Sequence, residues 1–267
     1  MARRIVITSG KGGVGKTTIC ANLGYALASI GQKVLVMDGD IGLNNLDVVL
    51  GVENKIVYDL VDVLSGRCRP KQALIQDFFM PNLFILPSNQ MYCNYDISTQ
   101  LKEILIQLDD FFDYILIDCP AGIENGFARA ISCATEAIIV TTPHLSAIRD
   151  ADKVITILNS SKISCIGVII NRARGDLVLS GEMLGMEQIG KYLKADVLGV
   201  VPEDDCISYQ LMSSGQLTKR AESYLAFNSI IKKLHYGEDE IFDCTKKYKG
   251  FFGNLKKSFR KWVWTIY

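Results

Sequence analysis

Short runs of β-branched and other apolar residues recur along the chain, and Gly, Pro, Asp or Asn bounds each of them. A strand that is buried on both faces of a sheet has this continuous apolar character. The pattern predicts strands at Arg3–Thr8, Lys33–Met37, Asn82–Leu86, Tyr114–Ile117, Ala137–Thr141, Cys165–Ile170 and Val197–Val201.

Between these runs, apolar residues recur at the spacing that places them on one face of a helix. The predicted helices cover about Thr17–Ile30, Thr99–Asp110, Asn125–Ala134, Ser146–Ser160, Met186–Leu193, Ile207–Ser213 and Tyr224–Leu234. Because strands alternate with helices, we expect an α/β fold whose mostly parallel, doubly wound sheet carries helices on both faces.

The composition of the 267 residues is that of an ordinary globular protein, with 49% hydrophobic and 22% charged residues. This excludes a disordered or low-complexity chain. No apolar run is long enough to cross a membrane, and we expect no signal peptide because the N-terminus leads directly into a strand. The eight cysteines form no C-x-x-C pair, so we interpret them as reduced, mostly buried thiols rather than metal ligands.

A complete phosphate-loop motif, GKGGVGKT, joins the first predicted strand to the first predicted helix, which is the context that the motif requires. Its glycines let backbone N–H groups curl around phosphate oxygens, and the helix N-terminus adds positive potential. We expect Lys16 to reach the β- and γ-phosphates of a nucleotide and the Thr17 hydroxyl to bind Mg²⁺. The expected nucleotide contacts of this region are Gly10, Lys11, Gly12, Gly13, Val14, Gly15, Lys16, Thr17 and Thr18.

Lys11 is a second lysine at a motif position that the general pattern leaves free. A lysine at the start of the loop points away from its own phosphate cradle. It is either a solvated surface lysine or a group that neutralises phosphate charge in a second subunit, as an arginine finger does.

Three aspartates lie at predicted strand ends, where ligands of open parallel sheets bind. Asp38 and Asp40 follow the second strand, and Asp118 ends the strand YILID. We expect Asp118 to lie beside Mg²⁺, Asp38 to support the metal shell and Asp40 to orient the attacking water. Each alone also fits a turn or a helix cap. Gly42 and Gly122 give the neighbouring loops the freedom of switch segments.

Six segments in order, KGGVGKTT, DGDIGLNNLD, DCPAGIENG, SAIRDAD, INR and GVVPED, resemble the septum site-determining members of the MinD/ParA family of deviant Walker A ATPases. The resemblance covers about residues 2–235 and implies a phosphate-loop NTPase domain over residues 1–236. It implies a slow, partner-stimulated ATPase that uses ATP and Mg²⁺ and forms a homodimer when ATP is bound.

The resemblance also implies roles for individual residues. Lys11 matches the signature lysine that reaches the nucleotide of the partner subunit, and Asp40 matches the hydrolytic aspartate. Lys16 and Thr17 match the phosphate and Mg²⁺ residues, and Asp118 matches the second acidic motif. The metal candidates are thus Thr17, Asp38, Asp40 and Asp118.

Four further residues match positions for the base and for the partner surface. Asn171, Pro202 and Glu203 stand where the family holds adenine. Asp152, in SAIRDAD, stands on the surface offered to a division inhibitor and a topological regulator. The sequence has no N-K-x-D motif for guanine, and Cys119 stands where serine or threonine is common in the family.

The C-terminal end is strongly basic: residues 245–267 contain seven lysines and arginines and no acid. We predict a linker over residues 237–247 and an amphipathic membrane-targeting helix over residues 248–267. At 100° per residue, its large apolar side chains share one face and its basic side chains an adjacent face. The predicted lipid contacts are Phe251, Phe252, Leu255, Phe259, Trp262, Val263 and Ile266.

Two other functions within the family remain open from the sequence. A DNA-segregation ATPase would bind duplex DNA non-specifically through basic patches, and an iron–sulfur carrier would use Cys119 or Cys133. Interleaved apolar residues in the tail favour lipid, so we expect no specific nucleic-acid partner. The expected compartment is a bacterial cytosol and inner membrane, or a plastid stroma and inner envelope membrane. The isoleucine-rich composition favours the plastid.

Overall fold

An eight-stranded sheet forms the centre of the computed structural model, which describes residues 1–41, 45–89, 97–213 and 217–250. The strand order is β3-β4-β2-β5-β1-β6-β7-β8, and every pair is parallel except the edge pair of β3 and β4. The strands are β1 Arg3–Thr8, β2 Val34–Asp38, β3 Ile75–Gln76, β4 Leu83–Leu86, β5 Tyr114–Asp118, β6 Glu136–Thr141, β7 Ser164–Ala173 and β8 Val197–Pro202.

Helices cover both faces of this sheet. In chain order they are α1 Lys16–Ser29, α2 Leu46–Leu50, α3 Leu60–Leu64, α4 Ser98–Leu108, α5 Asn125–Ser132, α6 Leu145–Ser160, α7 Gly175–Ser180, α8 Met186–Leu193, α9 Asp205–Ser213 and α10 Glu222–Ile231. The doubly wound α/β fold predicted from the alternating pattern is therefore confirmed. All seven predicted strands and seven predicted helices are present, with shifts of a few residues at their ends.

The elements that the pattern did not predict are short. The two-residue strand β3 and the five-residue helices α2 and α3 are too brief to show a period. Helix α10 ends earlier than predicted, because the chain continues as a π turn over Lys232–Tyr236.

Alternate residues of each strand point to opposite faces, which gives the sheet two apolar layers. In β1, Ile5 and Ile7 pack with α1 and α10, whereas Val6 packs with the side that carries α4, α5 and α6. Gly24 lets α1 lie close to the sheet, because a Cβ there would lie 2.7 Å from a methyl group of Val36.

The segment predicted as a linker packs against the domain. Tyr248 is 4% exposed and Cys244 is buried, while Ile241 and Phe242 lie against the core. The predicted bounds of the linker and the tail helix stay predictions. The predicted lipid-contacting residues, from Phe251 to Ile266, lie outside the described part of the chain. Within the described part, no helix combines the length and apolarity needed to cross a bilayer.

A buried ion pair joins the start of β1 to the end of α4. Arg4 Nε lies 3.6 Å from Asp109 Oδ1, and the two side chains are 7% and 4% exposed. Neither carboxylate oxygen of Asp109 has a hydrogen-bond partner. Removing one partner of such a pair leaves an uncompensated buried charge, whereas removing both leaves none.

We expect Asp109→Ala to lower the free energy of unfolding by about 3–5 kcal/mol. The double variant Arg4→Met/Asp109→Leu is expected to lose much less free energy of unfolding, because it buries no charge at either position. Urea denaturation of the three proteins measures this difference. A single variant as stable as the double variant would contradict the assignment.

Candidate nucleotide-binding site

The predicted site residues meet at the carboxyl edge of the sheet, around the loop that follows β1. Strand β1 is central, with β5 on one side and β6 on the other. The loop leads directly into α1, whose first residue is Lys16. Backbone N–H groups at a helix N-terminus form an anion site, so this loop can bind phosphate groups.

Two glycines give the loop its curvature. Gly13 and Gly15 have φ angles of +77° and +89°, a region that L side chains rarely adopt. The Asn171 side chain holds Val14, the residue between these two glycines, because its Nδ2 donates a hydrogen bond to the carbonyl oxygen of Val14 at 2.8 Å. A Cβ at Gly15 would collide with that same amide group. Asn171 therefore holds the loop as well as facing the cleft described below.

Lys16 and Asp118 form a buried ion pair inside the site. Lys16 Nζ lies 3.3 Å from Asp118 Oδ1, and the side chains are 10% and 5% exposed. Burial raises the pKa of Asp118, while the Lys16 charge and a hydrogen bond with Thr17 lower it in part. The ammonium group is thus held against Asp118 at the carboxyl edge of the sheet.

Asp38 adds a second buried carboxylate next to Asp118. The two residues are opposite each other in the register of β2 and β5. Burial, and then the charge of Asp118, raise the pKa of Asp38 to about 7. The Asp40 N–H donates a hydrogen bond to Asp38 Oδ1 at 2.9 Å, which places Asp40 in the same group. This concentration of negative charge is the environment that a divalent cation would stabilise.

Magnesium fits these residues with few direct protein ligands. No three His, Cys, Asp or Glu side chains of the described ranges lie close enough to form a metal cage. Mg²⁺ normally keeps several waters and binds through one or two protein oxygens plus the phosphates of its nucleotide. The hydroxyl of Thr17, which hydrogen-bonds Asp118, and the buried carboxylates suit that arrangement.

A cleft of about 430 Å³ lies beside the phosphate loop. The three residues that match the adenine positions, Asn171, Pro202 and Glu203, all line it. Gly15 and Thr18 line the end of the cleft next to the loop, so a bound nucleotide can extend from the loop into it.

Lys11 and Asp152 lie on the surface near the loop. Both residues are exposed, and Lys11 Nζ lies 3.4 Å from the hydroxyl oxygen of Ser146 on α6. Asp152 is on the same helix. A Cβ at Gly10 would collide with the backbone of Asp150, so α6 packs directly against the start of the loop.

Sequence reasoning missed Arg172 and Arg174. Arg172 lines the cleft with a φ angle of +56°, and its N–H donates to Asn171 Oδ1 at 2.9 Å. Arg174 pairs with Asp176 at 2.7 Å and lies 3.9 Å from Glu203. The signal in the sequence was the polar run NRARGD, which directly follows the predicted strand Cys165–Ile170 and so falls at the ligand-binding edge of the sheet.

Comparison with known proteins gives the family. A model described as the CobQ/CobB/MinD/ParA nucleotide binding domain matches residues 5–216. The septum site-determining protein MinD of Synechocystis sp. is 46% identical over 246 residues, which cover 91% of this chain and 92% of that protein. This chain belongs to the MinD family. The resemblance carried by the six sequence segments is therefore confirmed.

Two solved structures of the MinD family agree with this fold. The MinC:MinD cell division protein complex of Aquifex aeolicus has a TM-score of 0.82 and 42% identity, covering 90% of this chain and 98% of that one. The septum site-determining protein MinD of Pyrococcus horikoshii, complexed with Mg-ADP, has a TM-score of 0.80 and 33% identity, covering 88% and 96%. As a MinD-family protein, the chain is an ATPase that acts in placement of the division site.

The cysteines considered for an iron–sulfur role are buried in the described part of the chain. No disulfide joins the seven described cysteines to one another, and Cys93 lies outside the described ranges. Cys119 and Cys133, the candidates for an iron–sulfur role, are both buried. Burial raises the pKa of the Cys119 thiol to about 12, so it stays protonated at neutral pH.

We expect Gly15→Ala to weaken ADP binding more than Gly13→Ala. Both glycines have positive φ angles, so each alanine costs about 1–2 kcal/mol of backbone strain. Only the alanine at position 15 would also collide with the amide of Asn171, since the space around Gly13 is open. Isothermal titration of each variant with ADP measures the difference. Equal losses would show that the Asn171 contact does not shape the loop.

Proposed function

We propose that this chain is an ATP-dependent dimerising switch, which binds membrane reversibly and positions the division site. In this proposal it recruits a division inhibitor and responds to a topological regulator. The main support for the proposal is the arrangement of the site. The phosphate loop holds the buried Lys16–Asp118 pair, and a second lysine of the loop, Lys11, is exposed.

The buried charges support a hydrolytic role at the γ-phosphate. Lys16 and the N-terminus of α1 would bind the phosphates, and Thr17 with Asp38 and Asp118 would hold Mg²⁺. The metal would neutralise charge that develops on the phosphate oxygens. Asp40 is half-buried beside these groups and would orient the attacking water.

Lys11 supports dimerisation because its ammonium group is exposed rather than folded into its own loop. In a dimer with facing loops, each Lys11 would approach the triphosphate of the other subunit. The γ-phosphate gives ATP more negative charge than ADP beside the incoming Lys11, so ATP would favour the dimer.

The base and the partner surface use the residues next to the loop. Asn171, Pro202 and Glu203 would hold adenine in the cleft of about 430 Å³. Asp152 on α6 would contact the division inhibitor or the regulator. The Aquifex neighbour, a MinC:MinD complex, supports an inhibitor of the MinC kind as one partner.

The basic tail would attach the dimer to lipid. Each lysine or arginine near an anionic surface contributes about 1 kcal/mol, and two tails in one dimer bind more tightly than one through effective concentration. ATP would thereby control attachment by controlling dimerisation. We place the protein at the inner envelope membrane of a plastid or the inner membrane of a bacterium. The isoleucine-rich composition favours the plastid.

We expect two variants to fail at membrane attachment for different reasons. Lys11→Ala should bind ATP yet remain a monomer, and Phe252→Asp/Phe259→Asp should dimerise with ATP yet leave lipid unbound. Light scattering reports the dimer, and co-sedimentation with anionic phospholipid vesicles in ATP, in ADP and without nucleotide reports attachment. The wild-type chain is the control, and it should sediment with vesicles mainly in ATP. Equal sedimentation of the nucleotide-free monomer would refute the proposal.

We expect Asp40→Ala to lower the rate of ATP hydrolysis by about 10²–10⁴-fold while ATP binding and dimerisation persist. The reason is that the variant loses the carboxylate that orients water but keeps the phosphate loop. A phosphate-release assay measures the rate, and the variant should stay on vesicles after ATP is added. Hydrolysis at the wild-type rate would remove Asp40 from this role.

A further inference from the structure

Residues 241–249 form a strap that lies against the domain next to the nucleotide cleft. Phe242 is half-buried, and Cys244 and Tyr248 are buried. The strap packs so closely on Gly175 that a Cβ added to Gly175 would collide with the backbone of Cys244. The predicted lipid contacts, from Phe251 onward, follow the strap in the sequence. The strap therefore connects the domain to the segment that is predicted to contact lipid.

One set of contacts joins the strap to the cleft through the start of α10. Lys247 forms an ion pair with Glu222, the first residue of α10. The next residue, Ser223, donates its backbone N–H at 3.0 Å and its hydroxyl at 2.8 Å to the Asp204 carboxylate. Asp204 lines the cleft. Burial would raise the pKa of Asp204, but the hydrogen bonds from Ser223 and Cys206 lower it below its usual value.

A second set of contacts passes through Arg174. Its guanidinium group forms two hydrogen bonds with Asp176, at 3.3 and 2.7 Å, and lies 3.9 Å from Glu203, which lines the cleft. Asp176 and then Glu203 raise the pKa of Arg174. Gly175, the next residue in the chain, lies directly against the backbone of Cys244 in the strap. Two separate contact routes thus connect the strap to neighbouring residues of the cleft.

We propose that the strap couples occupancy of the base cleft to the position of the tail, with Glu222 and Arg174 as positioning residues. This inference rests on the proposed function, because it requires a nucleotide base in the cleft and a functional tail after residue 249. A base that orders Glu203 and Asp204 stabilises the start of α10 and the Arg174 cluster. These in turn stabilise the strap.

Coupling of this kind is reciprocal: if the base stabilises the strap, a loosened strap weakens binding of the base by the same factor. The effect is confined to ligands that reach the cleft. A ligand that fills only the phosphate loop leaves Glu203 and Asp204 untouched, so loosening the strap does not change its affinity.

The experiment compares Lys247→Glu with its charge-swapped partner, Glu222→Lys/Lys247→Glu, in the full-length chain. The matched control is Lys246→Glu, since Lys246 is the preceding residue of the strap and is exposed. Isothermal titration gives the affinities of each protein for ADP and for inorganic tripolyphosphate. Hydrogen exchange follows the strap amides of Lys246, Tyr248 and Lys249, which donate backbone hydrogen bonds.

We expect Lys247→Glu to weaken ADP binding about fivefold or more, within the usual range of coupling between sites. Tripolyphosphate binding should not change, the swapped pair should recover most of the ADP affinity, and Lys246→Glu should match the wild type. ADP, but not tripolyphosphate, should slow exchange of the strap amides in the wild-type chain.

Unchanged ADP affinity in Lys247→Glu, or an equal loss for both ligands, would overturn the coupling and leave the proposed function standing. The recovery in the swapped pair separates coupling from simple misfolding, and its absence would count against the coupling. If the wild-type chain bound neither ligand, the proposed function would fail and the coupling with it.

Discussion

The balance of charge at the carboxyl edge of the sheet is the constraint on which the site depends. Asp38 and Asp118 are both buried there, at positions fixed by the register of β2 and β5. Two neighbouring carboxylates in a dry environment need positive charge, and Lys16 supplies it from the first residue of α1. The phosphate loop must therefore keep its shape for the ammonium group to stay in place, and Asn171 provides that support from β7.

The same balance of charge explains why ATP is expected to bind together with Mg²⁺. Negative phosphates add charge that only a cation and further N–H donors can offset, and the loop presents those donors. Lys11 stands apart from this group, on the surface beside α6. In the proposed dimer, this charge outside the loop would act on the nucleotide of the second subunit.

Much of the fold could be predicted because buried parallel strands have a clear apolar pattern. Strand β1 was predicted with its exact bounds, and the aspartates that end β2 and β5 were expected at one edge of the sheet. The phosphate loop was evident because its motif requires a strand before it and a helix after it. Short elements such as β3 and α2 have no period to detect. The support of the loop by Asn171 and the packing of the strap depend on contacts between residues far apart in sequence, which a single sequence does not reveal.

The strap also determines where the tail can be removed without harm to the rest of the protein. Its inner surface covers an apolar cavity of about 150 Å³, lined by Ile170, Val200 and Phe242 among others. Cutting the chain before residue 241 would remove Phe242 and Cys244 from the lining of this cavity and open it to water. A tail-free variant that keeps the strap and this cavity would end after Gly250.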